Sequence, residues 1–470
     1  MKFNTTDNKA SDIQITYIGG GSRGWAWAFM TDLALEESMS GTIRLYDIDL
    51  ESAENNKIIG NYISDRDDTV GKWNYQVYTD LNESLEGADF VVISILPGTF
   101  AEMESDVHLP ERLSIYQAVG DTVGPGGMIR ALRTIPMFVQ IAEAVKKTAP
   151  NAWVVNYTNP MSACMNALYQ TFPEIKAFGC CHEVFGTQKV LKEMVEDKFN
   201  LKDVKRSDIQ INVLGINHFT WFDYATYKGI DLIPLYKEFV EKNYEKGYGE
   251  KNAHWANKCF SSNHRVKFDL FKRYGYIAAA GDRHLAEFMS GDEYLNNPQS
   301  VDYWGFALTT VQWRKEDLAK RMAKSLRLAK DKDEIKLEPS GEEGILLIKA
   351  LCGIESIVSN VNIPNTHAQI SNLPRTAIVE TNAVFSRDSI RPIHAGALPE
   401  QIKDLTMPHI ENLSSIFEAS QTFDKELVVK AFQNDPLIRG KNCTESDVRL
   451  LVNDMIKETL KYLPSDFGVS

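Results

Sequence analysis

Cys180, Cys181, His182 and Glu183 set two thiols, an imidazole and a carboxylate on four consecutive residues behind an apolar run. Thiolate and imidazole are metal ligands, and one of each leaves coordination positions open, as a catalytic metal requires. The plainer alternative is a buried cysteine pair beside a hydrogen-bonded histidine. His218, in Gly215-Ile216-Asn217-His218, stands at a second such position, so one thiolate from the cysteine pair and one imidazole are available to a metal. Asn159, in Asn156-Tyr157-Thr158-Asn159-Pro160, can aim its amide into a cleft or simply build an Asx-type turn. Asp282, in Gly281-Asp282-Arg283-His284, precedes a helical pattern. It is either a helix N-cap or a general base, with Arg283 or His284 facing an anionic group. Gly124-Pro125-Gly126-Gly127 opens a stretch carrying Arg130 and Arg133, and borders a cofactor or merely starts a helix.

The run Gly19-Gly20-Gly21-Ser22-Arg23-Gly24 supplies a different chemistry. It follows an apolar strand pattern at 13–18 and opens a helical one at 25–37. Glycines there let the backbone approach a dinucleotide pyrophosphate, and the helix start offers free N–H groups. Asp47 ends the next strand pattern and can accept hydrogen bonds from a ribose diol, while repelling a 2′-phosphate. Gly19, Gly20, Gly21, Ser22, Arg23 and Asp47 are therefore the candidate NAD-binding residues.

These residues need a scaffold that sets them at strand ends. Strand-like runs occur at 13–18, 42–46, 76–78, 90–96, 153–157 and 177–181, with apolar helical stretches such as 128–147 between them. The pattern predicts an α/β fold: a Rossmann-like, doubly wound parallel sheet, in which ligands bind beyond the carboxyl ends of the strands. A charged helical stretch at 189–205 marks a boundary. The expected division is a nucleotide-binding domain over 1–200 and a substrate and oligomerisation domain of mixed helix and antiparallel strand over 201–470. Helices are expected at 315–330 and 342–359, and an exposed loop or ragged helix at 241–258.

The 470 residues suffice for two or three domains, and a 43% apolar content is that of a globular protein. A net charge of −13 argues against nucleic-acid partners. The chain has no signal-peptide pattern and no apolar run of bilayer length, so no membrane partner is expected. Six cysteines are sparse for this length, and the expected setting is the reducing cytoplasm.

Taken together and in this order, the glycine turn, the Gly124-Pro125-Gly126-Gly127 loop, Asn159-Pro160, Cys181 and Asn217-His218 resemble glycoside hydrolase family 4, the NAD-dependent glycosidases. The likeness is strongest to the α-galacturonidase branch, over 119–135, 156–165, 180–189, 213–222 and 279–288. The resemblance implies an α-galacturonidase that uses NAD and a divalent metal, usually manganese. NAD takes a hydride from C3 of the sugar, a base removes the C2 proton, the C1–O bond breaks by elimination, water adds, and C3 is reduced again. This departs from the two-carboxylate scheme of most glycosidases. By the same resemblance Cys181 and His218 hold the metal, Asn159 binds sugar hydroxyls, Asp282 is the base (with Tyr274 or Tyr276 as fallback), and His182 stands where relatives carry an acid. Met103 falls where phosphate-specific relatives carry an arginine, which speaks against a 6-phosphate substrate. Arg283 is the expected partner of a uronate carboxylate. The implied partner is a small uronic-acid glycoside, and the implied assembly a homodimer or homotetramer. The alternatives are a family 4 α-glucosidase acting on neutral sugars and an NAD-dependent hydroxy-acid dehydrogenase.

Overall fold

The computed structural model describes residues 1–249, 262–308, 310–331 and 335–468. Seven strands come first: β1 (Lys2–Asn4), β2 (Lys9–Ile18), β3 (Met39–Tyr46), β4 (Trp73–Tyr78), β5 (Phe90–Ile93), β6 (Trp153–Asn156) and β7 (Lys176–Gly179). Four more, β8 (Ile209–Ile216), β9 (Phe219–Tyr227), β10 (Ile230–Asp231) and β11 (Ile277–Ala278), form a separate antiparallel sheet. The last three are β12 (Ile357–Pro364), β13 (Ile378–Ser386) and β14 (Ser389–Pro392).

The large sheet runs β14-β13-β12-β7-β6-β5-β2-β3-β4, with β1 antiparallel on β2. From β7 to β4 every pairing is parallel; β12, β13 and β14 add antiparallel pairs at the far edge. Strands from both sides of residue 200 thus share one sheet. The strand period of two decides which core each residue enters. Phe90 and Val92 face one buried cluster, and Val91 and Ile93 the other. Both faces are covered, so β5 reads as an unbroken apolar run.

The expected strands form, but β2, β3 and β4 start earlier than expected and β5, β6 and β7 end earlier. β5 stops at Ile93 and β7 at Gly179, which leaves Cys180 and Cys181 in the loop beyond the strand. The expected helix at 128–147 starts earlier, at Gly124, because Pro125 needs no hydrogen-bond partner for its nitrogen in a first turn. The boundary helix spans Glu183–Phe199 and opens directly behind His182. One expectation fails: 342–359 is not a single helix. The helix Gly344–Cys352 ends at Gly353, whose φ of +91° suits glycine, and the chain then enters β12. The stretch expected as an exposed loop at 241–258 follows the helix Ile233–Asn243, and from residue 250 it lies outside the described residues. Among the described residues no helix is long and apolar enough to cross a membrane.

Arg133, on the helix Gly124–Thr148, and Asp106, on the helix Phe100–His108, form a wholly buried ion pair. Nη1 meets Oδ1 at 3.0 Å, Nη2 meets Oδ2 at 2.5 Å, and Nε donates to the Pro97 carbonyl at 2.9 Å. Removing one partner strands the other charge away from water. Asp106→Ala is expected to destabilise the fold by about 3 kcal/mol, read as a lower thermal unfolding midpoint.

Candidate active site

The glycine turn leaves β2 exactly where the sequence puts it, and tightly. Gly19 and Gly20 both donate to the Tyr46 carbonyl of β3, at 2.9 and 3.0 Å. Gly19 has φ of +94°, and a Cβ on it would lie 2.0 Å from the Ser94 carbonyl oxygen. Asp47 braces the turn by accepting from the Gly21 N–H at 2.8 Å, and Arg23 pairs with Asp49 at 3.0 Å. Asn56 donates to the carbonyls of Gly20 and Ser22, at 2.7 and 3.0 Å. Trp25 begins the following helix.

A second centre gathers beyond the other strand ends. Asn217 and His218 are the two-residue turn between β8 and β9, with His218 in the left-handed region at φ of +64°. Its ring lies against that of His284, tilted by 32° at a centroid distance of 3.8 Å. Asp121, His218 and His284 each offer a ligand atom, all within 4.8 Å of one another. Thr122 donates its hydroxyl hydrogen to Asp121 Oδ1 at 2.8 Å, so the 2.9 Å contact to His218 Nδ1 is a bond accepted from the ring N–H. That assignment leaves His218 Nε2 with its lone pair free. Burial and the neighbouring His284 push His218 down to about 3. Burial works to raise Asp121, but Arg130 and the two imidazoles outweigh it and hold the carboxyl at about 2. The cluster therefore offers a carboxylate and neutral imidazoles at neutral pH, and His284 Nδ1 is buried without a hydrogen-bond partner.

Glu183 ties this centre to the first half of the chain. It accepts from the Gly281 N–H at 2.7 Å, and its other oxygen lies 3.7 Å from His284 Nε2. Glu287 accepts from the Val119 and Gly120 N–H groups at 2.7 and 2.9 Å. Arg283 donates to the carbonyls of Ala118 at 2.5 Å and Ala307 at 3.2 Å. The segment 281–287 thus shapes the loop that carries Asp121.

The other expected residues lie around this centre with distinct surroundings. The Cys181 thiol is pushed well up by burial and by Glu380 and Glu183, and the Asn217 side chain donates to Glu380 at 3.3 Å. Cys181 stands outside the three-residue cluster, and its carbonyl accepts from Asn360 at 3.1 Å. Asn159 precedes Pro160 through a cis peptide bond, and its Oδ1 is buried without a partner. Exposed His182 pairs through Nδ1 with Glu342 at 3.1 Å and lies 6.1 Å from the Trp25 ring. The protein packed around one side of the ring works to lower His182, but the bond to Glu342 and its charge raise it to about 9. Asp282 is fully buried and accepts from the N–H groups of Lys267 at 3.1 Å and Val266 at 3.3 Å. Burial lifts it to about 6 against the pull of Lys267. Tyr274 accepts from Arg273 and packs on Trp221. Met103 is buried beside Val107 and Val311.

Asp121 was not among the sequence candidates, and His284 was read only as facing an anion. The one local signal for Asp121 is its place just before Gly124-Pro125.

Fold and site define a class: a Rossmann-type α/β protein with an acid–imidazole centre assembled from both halves of the chain. Residues 14–197 match the family 4 glycosyl hydrolases and residues 213–438 match the C-terminal domain of the same family. The chain belongs to glycosyl hydrolase family 4. It is 64% identical to an α-galacturonidase of Lachnoclostridium phytofermentans over 100% of both chains. It is 50% identical to an α-galacturonidase of Bacillus subtilis, covering 95% of this chain and 97% of the relative. The crystal structure of lplD from Bacillus subtilis superposes with a TM-score of 0.90 at 49% identity, over 95% of this chain and 100% of that one. A 6-phospho-α-glucosidase from gut microorganisms, solved with NAD and Mn2+, shares the fold at a TM-score of 0.81 and 19% identity, over 97% and 99% of the two chains.

Proposed function

We propose that this chain hydrolyses α-linked galacturonides with NAD and a divalent metal, manganese, as its resident cofactors. The observation that carries this is the 64% identity to an α-galacturonidase along the whole of both chains. The residues present fit both groups. A Cβ at Gly19 or Gly20 would collide with the neighbouring strand ends, 2.0 Å from Ser94 O or 2.7 Å from Leu45 Cβ, so only glycine permits the tight turn that aims the start of the helix Trp25–Ala34 at a pyrophosphate. Asp47 favours NAD over its 2′-phosphorylated form, and Ser22 and Arg23 complete the cofactor turn. His218 would hold the metal, with Cys181 by family resemblance; Asp121 and His284 add an oxygen and a nitrogen donor, which suit manganese better than thiolate.

When bound, the two cofactors supply reversible oxidation at C3 and polarisation of the sugar oxygens, which acidifies the C2 proton and lets the C1–O bond break by elimination. The chain's own groups do the rest. Asn159 Oδ1, buried and unpartnered, accepts from a sugar hydroxyl. Asp282 takes the C2 proton, its carboxyl raised toward the working range by burial. His182, charged at neutral pH and held by Glu342, donates to the departing oxygen. Arg283, beside the substrate, fixes the wall at Ala118.

Five described cysteines are all free thiols, which supports a reducing, cytoplasmic setting. The assembly follows the family expectation of a homodimer or homotetramer; the cofactor turn lies before residue 200, and the substrate contacts come from both sides of it.

Protein supplied with NAD and Mn2+ is expected to release galacturonic acid from an α-galacturonide without accumulating NADH. Cleavage of a neutral α-glucoside in its place would move the assignment to an α-glucosidase. Stoichiometric NADH would move it to a hydroxy-acid dehydrogenase.

A further inference from the structure

Two arginines lie one helical turn apart on Gly124–Thr148, and only one is fully used. Arg133 spends Nε, Nη1 and Nη2 on Pro97 and Asp106. Arg130 is also buried, with 6% of its surface exposed, yet makes a single hydrogen bond, from Nε to the Asn159 carbonyl at 3.1 Å. Among the described residues its two terminal nitrogens have no hydrogen-bond partner and it forms no ion pair. These two nitrogens are not among the enclosed unpartnered atoms, so they keep an opening through which an anionic ligand can reach an otherwise buried guanidinium.

We infer that Arg130 recognises the C6 carboxylate of the substrate through its two terminal guanidinium nitrogens. This rests on the galacturonide assignment above and names the residue that enforces it. Arg130 Nε holds the backbone of Asn159, whose own Oδ1 is buried, unpartnered and assigned to a sugar hydroxyl. One turn therefore presents a hydroxyl acceptor and an anion donor side by side. The cofactor's pyrophosphate is not the anion. It belongs at the end of β2, whereas Asn159 lies beyond β6, with β5 between the two strands. A planar fork matches a carboxylate with two parallel N–H···O bonds. A neutral sugar, carrying a hydroxymethyl group there, offers no pair of acceptor oxygens to the two terminal nitrogens, and the loss of that bidentate bond supplies the discrimination. Arg283 is the weaker candidate, because its guanidinium already serves the carbonyls of Ala118 and Ala307. A chain of net charge −13 does not attract an anionic substrate by its global field, so a local cation has to do so.

The test compares kcat/KM for an aryl α-galacturonide and the matching aryl α-galactoside in wild type, Arg130→Gln and Arg130→Lys, each loaded with NAD and Mn2+. The galacturonide-to-galactoside ratio is expected to fall by about 100-fold or more in Arg130→Gln. Arg130→Lys, which keeps the charge and loses the fork, is expected to fall between that variant and wild type. An equal loss on both substrates, with the ratio unchanged, would overturn the proposal and leave Arg130 as a brace for Asn159. If Arg130→Gln fails to fold, the Lys variant decides: an unchanged ratio overturns the proposal there too. A wild type that does not prefer the galacturonide would instead bring down the substrate assignment, and this is visible before any variant is made.

Discussion

His218→Asn is expected to lower kcat/KM on an α-galacturonide by about 10³-fold, equivalent to ~4 kcal/mol of transition-state stabilisation. Asparagine tolerates the left-handed backbone at φ of +64° and still reaches Thr122 with a polar group, so the hairpin turn survives. What disappears is the imidazole nitrogen that the Thr122 bond leaves free. The loss is confined to the metal centre, because the glycine turn at β2 stands apart from the β8–β9 turn. NAD binding, followed by quenching of protein fluorescence, should therefore stay near the wild-type value, while the Mn2+ concentration needed for half-maximal activity rises. A variant that keeps full activity, or one that loses NAD binding as well, would contradict the assignment of His218.

Asp282→Asn carries the second large effect. A general base contributes about 10²–10⁴-fold, and the asparagine keeps one oxygen for the N–H groups of Lys267 and Val266. Wild-type kcat is expected to fall as pH drops through about 6, where the buried carboxyl takes up its proton. The variant should be slow at every pH and lack that limb. The stability consequence has the opposite sense. Folding raises this carboxyl from 3.8 to about 6, so between those values the folded chain holds a proton that the unfolded chain has lost. The contribution is fully present below the unfolded value and is lost as pH rises through about 6. Thermal unfolding of wild type and Asp282→Asn at pH 5 and pH 8 measures it: the wild type should lose more on going to the higher pH. Activity at the wild-type level in the variant would remove Asp282 from the chemistry and leave it as an anchor for the helix Arg265–Tyr274.

Much of this was legible in the chain. The glycine turn is local: strand, turn and helix are adjacent in sequence, and Asp47 reaches Gly21 from the next strand end. His218 announced itself as a polar residue ending an apolar strand. The acid–imidazole grouping did not, because it exists only through long-range bonds. Asp121 is set by a loop that Glu287 and Arg283 hold from more than a hundred and fifty positions away. The resting state of Arg130 was equally invisible, since Arg130 and Arg133 look alike in sequence and differ only in what surrounds them. The helix expected at 342–359 failed because an apolar run is ambiguous. Gly353 stops the helix, and the β-branched residues after it then pair with β13.

The seam between β7 and β12 has a consequence for biosynthesis. β7 is complete at residue 179, yet the strand that meets its open side, pairing Asn362 with Gly179, begins only at residue 357. While the ribosome makes the intervening stretch, the emerging first half carries a row of unclaimed amides and carbonyls along that border. A message cut short before the later strand is read would yield a polypeptide with a permanently sticky flank, and such fragments are expected to clump or be degraded rather than persist as a free nucleotide-binding half.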